Sequence, residues 1–143
     1  MAIPGFRDDG YLPEGIHAAT AAECMARFGV GTRRRRYLSV RLRRWIELAN
    51  AIGARRLLID GSFVTAKAEP DDIDAVVLLA EDFHGRLQAG AEGAVELNEL
   101  LMTKRPEELF AAEDEEDWQR WADFFARTRE ADARRKGVVE IIL

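Results

Sequence analysis

Two short apolar runs, Leu57-Leu58-Ile59 and Ala75-Val76-Val77-Leu78-Leu79, flank a polar connection that starts with Gly61-Ser62 and ends with Asp72-Ile73-Asp74. No other feature limits the fold as strongly. Aliphatic runs of this length, bounded by Gly, Pro and Asp, predict two neighbouring strands buried on both faces. Such strands need helices packed over them, which points to a layered α/β or α+β architecture. The connection has its own chemistry. Gly61 has no Cβ, so backbone N–H groups at the turn can approach an anion. Asp72 and Asp74 stand two apart on an extended chain, point to one face and can reach a single cation together.

Helical signals surround this pair. Thr20-Ala21-Ala22-Glu23 fits a capping box and opens a helix that ends near Gly29. A longer helix is predicted after Gly31-Thr32, with Leu38, Leu42, Trp45, Ile46, Ala49 and Ile52 at helical spacing and Gly53 as its stop. Strands are predicted over 55–60, 72–79, 108–112 and 138–143. Shorter helices are predicted near 81–87 and 94–102, and a further helix carries Trp118, Trp121, Phe124 and Phe125 as a core stripe. Residues 1–19, broken by Pro4, Gly5, Gly10, Pro13 and Gly15, read as an irregular lead-in. The expectation is one domain over 1–143: α/β (α+β), a mixed sheet with flanking helices.

Composition narrows the function classes. The 143 residues are 48% hydrophobic and 33% charged, as in globular chains that bury a core. The longest apolar run, 75–80, is too short to span a bilayer, so no membrane partner is expected. The first residues lack a charged segment leading into an apolar one, and Cys24 is the only cysteine. Both point to a cytoplasmic chain without disulfides. Cys24, His17 and His84 are too few for a zinc site of the usual ligand types, so any metal would be held by carboxylates. The net charge of −5 argues against a general nucleic-acid coat. Arg33 to Arg36 with Arg41, Arg43 and Arg44 read as the outer face of an amphipathic helix. Nucleic-acid contact is the other reading of that run, with Tyr37 as its one stacking aromatic.

From Asp60-Gly61-Ser62 through Asp72-Ile73-Asp74 the chain resembles the DNA polymerase β-like nucleotidyltransferase superfamily, whose signature is Gly-Ser, a spacer like this one, then Asp-x-Asp between apolar positions. At its ends, Gly10-Tyr11-Leu12-Pro13-Glu14-Gly15-Ile16-His17 and Arg135-Lys136-Gly137-Val138-Val139-Glu140 resemble a bacterial family of small nucleotidyltransferase-like proteins. Related minimal nucleotidyltransferases are components of toxin–antitoxin systems. The resemblance implies transfer of a nucleotide from a nucleoside triphosphate to a protein, RNA or small-molecule acceptor.

The expected site follows from the chemistry of that transfer. Asp72 and Asp74 would hold Mg2+ or Mn2+, a hard cation that takes one or two carboxylates along with phosphate oxygens and water. Gly61 and Ser62 would seat the triphosphate, and Lys67 and Thr65 would assist from the same loop. The superfamily commonly places a third Asp on the following strand; here Glu108 stands in its place, as a third ligand or base. A chain of this length has little room for acceptor recognition, which a partner protein or oligomer would supply. The alternative is a catalytically weak or inactive protein of the same fold that acts as a regulatory or antitoxin-like binding module.

Overall fold

The computed structural model describes residues 3–143. In chain order the elements are β1 (Gly15–Thr20), α1 (Ala21–Phe28), α2 (Arg33–Ala51), β2 (Arg56–Asp60), β3 (Asp74–Leu78), α3 (Phe83–Gln88), α4 (Glu92–Glu99), β4 (Leu109–Ala112), α5 (Glu115–Phe125) and β5 (Gly137–Ile142). A single 3-10 turn, Ser62–Val64, follows β2, and a π-helical turn, Leu100–Lys104, extends α4. The sheet order is β1-β5-β2-β3-β4, so the last strand of the chain lies beside the first. β2 is antiparallel to both β3 and β5, while the outer strands β1 and β4 run parallel to their neighbours. The fold is α+β with a mixed sheet. No helix among the described residues is long and apolar enough to cross a membrane.

Local sequence explains the helix starts. Thr20 and Glu23 form the expected capping box, Thr20 Oγ1 accepting the Glu23 N–H at 3.1 Å and the Glu23 carboxylate accepting the Thr20 N–H at 2.9 Å. Thr32 accepts from Arg35 N to start α2, and Asp114 accepts from Asp117 N to start α5. Packing then fills both faces of the sheet. Leu57, Ile59, Ala75, Val77, Val139 and Ile141 meet Leu38, Leu42 and Trp45 of α2 on one side. Leu58, Val76, Leu78 and Val138 meet Trp118, Ala122 and Phe125 of α5 on the other. This two-sided burial is why β2 and β3 read as unbroken apolar runs.

Three expectations are corrected. The lead-in is not irregular throughout, because Gly15–Thr20 is a strand. It carries Gly15, Ala18 and Ala19, poor strand formers, and is held by pairing with the far end of the chain, which no local pattern reveals. The arginine run is not wholly an outer face, because Arg35 is 8% exposed. The aromatic stripe of α5 is core at Trp118 and Phe125, but Phe124 points to solvent at 65% exposure.

The lead-in crosses the sheet end at Gly137. There the Gly137 N–H donates to the Leu12 carbonyl at 3.0 Å, and His17 Nε2 donates to the Pro13 carbonyl at 2.7 Å. A Cβ on residue 137 would run into the Pro13 carbonyl oxygen and stand 2.8 Å from His17 Nε2. Gly137→Ala should therefore lower stability by about 1–3 kcal/mol, as overpacking does, measured by urea unfolding.

Candidate acidic site at the Gly61–Ser62 turn

Antiparallel pairing sets Asp60, the last residue of β2, directly opposite Asp74, the first of β3. Opposed residues point to the same face of a sheet. Alternation from Leu58, Val76 and Val138 puts both acids on the α5 face of the sheet. Lys136, just before β5, reaches Asp60 and forms an ion pair in which each side chain is 8% exposed. Burial raises the Asp60 pKa, and the ammonium pulls it back down.

Between the two strands the chain is tightly tied. Gly61 has φ +89°, and a Cβ there would lie 3.1 Å from the Asp72 carbonyl, Asp72 Oδ1 and Asp74 N. Asp72 Oδ1 accepts from Ser62 N at 2.7 Å and from Ser62 Oγ at 2.8 Å. Ser62 Oγ in turn accepts the Asp71 N–H at 2.8 Å and the Asp72 N–H at 3.2 Å. The first acid of the Asp-x-Asp thus sits on the glycine–serine turn itself. No hydrogen bond among the described residues reaches the Asp74 carboxylate. Burial, then the negative charges of Asp72, Asp60 and Glu108, push its pKa up to about 7, with Lys136 opposing them.

The other expected residues are placed differently. Thr65 Oγ1 donates to the Ser62 carbonyl at 2.6 Å and accepts from Lys67 N at 3.2 Å, so its hydroxyl shapes the loop from inside. The Lys67 ammonium pairs with Asp71 at the loop surface. Glu108 lies one residue before β4 and hands its carbonyl to Ala75 N at 2.8 Å. Its carboxylate is held by Arg41 Nη1 at 2.6 Å, while Oε2 is buried without a hydrogen bond and stands 3.6 Å from Arg105 Nε. Among the described residues, no group of three or more His, Cys, Asp or Glu is arranged to hold a metal ion. Asp72, Asp74 and Glu108 therefore do not form a ready three-carboxylate centre. Asp72 and Asp74 still suit Mg2+, which takes one or two carboxylates and fills its shell with phosphate oxygens and water. Two surface hollows, one lined by Glu92, Glu96 and Lys104, the other by Phe83, Leu101 and Trp121, touch none of these acids.

Lys136, Asp60, Arg34, Arg35 and Arg41 are the residues that sequence reasoning missed. Arg35 Nη1 donates to the Phe28 and Phe63 carbonyls, and Nη2 donates to those of Thr65 and Lys67. Arg34 reaches the Pro70 and Asp71 carbonyls at 2.9 and 2.6 Å. These arginines clamp the whole connection onto α2. The signal for Arg35 was present, since it precedes Leu38 by three and Leu42 by seven on the apolar stripe. Lys136 belongs to the Arg135–Glu140 tail, but nothing in that tail implies its pairing with Asp60.

Residues 4–142 match a family model described as a family of unknown function, DUF6932. The chain belongs to this family. No curated protein and no solved structure matches the chain. As a member of DUF6932, the chain takes its functional assignment from its own geometry.

Proposed function

We propose that the chain is a nucleotidyltransferase-type protein that binds a nucleoside triphosphate with a divalent cation at the Gly61–Ser62 turn. The supporting observation is the seating of Asp72 on that turn beside Asp74. One carboxylate already takes the turn's N–H and hydroxyl, and no hydrogen bond among the described residues reaches the other. Asp72 and Asp74 would hold Mg2+ or Mn2+, which would neutralise phosphate charge during transfer.

The residues' own part follows from their contacts. For phosphate to take the Ser62 N–H and hydroxyl, Asp72 must leave them, so anion binding and release of the Asp72 carboxylate are one exchange. Gly61 keeps the backbone open to that approach. Arg35 holds the loop's carbonyls away from the anion, and Lys136 keeps Asp60 from adding a further free charge. In transfer, an acceptor hydroxyl would give its proton to solvent as its oxygen bonds to the α-phosphorus, the bond to the bridging oxygen would break, and pyrophosphate would leave. The acceptor would be a protein, an RNA or a small molecule. Triphosphate use and the lone, buried Cys24 fit a cytoplasmic setting.

The ion pair between Arg41 and Glu108 favours a second reading. A third carboxylate committed to arginine suits a protein that binds nucleotide without transferring it, as a regulatory module. Calorimetry with each of the four nucleoside triphosphates, with and without Mg2+, tests the shared claim. Binding is expected to require Mg2+ and to vanish in Asp72→Ala/Asp74→Ala. A folded wild type that binds none of them would overturn both readings. Release of pyrophosphate on addition of an acceptor would then separate transfer from binding alone.

A further inference from the structure

Among the described residues the outer edge of β1 has no strand beside it, and the bonding phase of the sheet shows what it offers. Ala75 and Leu79 donate their N–H groups to the Glu108 and Ala112 carbonyls, so Asp74, Val76 and Leu78 face β2 instead. Through the pairs Leu58↔Val76 and Ile59↔Val139, the odd residues of β2 face β5, and Val138 and Glu140 face β1. In a parallel ladder the residues flanking each partner position take the bonds. Gly15, His17 and Ala19 therefore bond β5, while Ile16 and Ala18 turn both N–H and C=O outward. Thr20 N, on the same side, is already taken by Glu23.

The side chains agree with an uncovered edge. Ile16 and Ala18 share the α5 face, but the α5 cluster reaches β5 only at Val138 and stops short of β1, and Ile16 is 43% and Ile142 57% exposed. The strand Gly15–Thr20 has no charged residue and no proline, the usual devices that keep an edge from pairing. The opposite edge, β4, is only four residues long and runs straight into Glu113 and Asp114.

We propose that β1 pairs antiparallel with β1 of a second copy of this chain about a two-fold axis, joining two five-stranded sheets into one. Ile16 then stands opposite Ala18 of the partner subunit, and each exchanges both backbone hydrogen bonds. This register is self-complementary in three ways. Every outward donor of Ile16 and Ala18 finds an acceptor, the strand brings no formal side-chain charge against its copy, and the exposed apolar residues of the two copies become neighbours. His17 falls on the axis, but its ring leans over Gly137 towards β5 and leaves the edge clear. The pairing does not depend on nucleotide binding.

Sedimentation equilibrium tests it. The wild type is expected at twice the 16.1 kDa of one chain. Ala18→Pro removes an N–H that the β1–β5 ladder does not use, so it should give a folded monomer. Ile16→Lys, which charges the edge without touching any backbone group, should also give a monomer. A wild type that sediments as a single chain at all concentrations would overturn the proposal. So would a dimer that persists in both folded variants.

Discussion

Lys136→Met is expected to destabilise the protein by about 3–5 kcal/mol at neutral pH, the cost of leaving one member of a buried ion pair without the other. The reason lies in Asp60. Its side chain is 8% exposed, Asp74 is opposite it, and Lys136 is the cation bound to it. Without the ammonium, the carboxylate must stay charged in an apolar, acid-rich corner or take up a proton. Burial already raises the Asp60 pKa and loss of the ammonium raises it further, so the penalty should be largest in alkaline solution and shrink as pH falls towards the raised wild-type value, above the ordinary 3.8. Replacing both partners, Asp60→Leu with Lys136→Met, should recover much of the loss, because neither desolvated charge remains. Urea unfolding of the wild type and the two variants across pH measures this. An equal loss in the single and double variants would show that packing, not charge, holds the corner together.

Asp74→Asn should stabilise the protein, by on the order of 2 kcal/mol above pH 8, and make no difference below pH 4. Burial and three neighbouring acids lift the Asp74 pKa from 3.8 to about 7. Between those two values the folded chain keeps a proton that the unfolded chain has lost. Wild-type stability contributed by this group thus falls as pH rises through the window. Asparagine cannot ionise, so the variant avoids the loss, and water around the partly open carboxylate screens some of it in the wild type. A divalent cation should offset the same repulsion. Mg2+ is accordingly expected to raise the wild-type melting temperature at pH 8 more than at pH 5, and to have little effect on Asp74→Asn. A variant no more stable than wild type at pH 8 would show that the acids do not repel one another as their placement implies.

Most of the fold was legible because it is written in local patterns. The apolar runs of β2 and β3, the capping box at Thr20 and the stripe Leu38-Leu42-Trp45 each report burial against a neighbouring layer. β1 was illegible because its only partner is β5, at the other end of the chain, and its residues have little strand preference. The candidate site was half legible. Gly61, Ser62, Asp72 and Asp74 come together as their spacing implied, since the turn is closed by bonds within the motif itself. Glu108 did not follow, because its fate depends on Arg41 from a distant helix. Thr65 and Lys67 are expected at the ligand from their residue types and their place in the loop, whereas the loop uses both for its own closure.

A Mn2+ titration followed by paramagnetic broadening of the backbone amide signals, with a non-hydrolysable nucleoside triphosphate present, tests the central claim most directly. Broadening should appear first at Ser62, Asp74 and Ala75 and be lost in Asp72→Ala/Asp74→Ala. Broadening centred on the acids from Glu113 to Asp117, with the 61–75 amides left sharp, would contradict the assignment of the cation and its nucleotide to this turn.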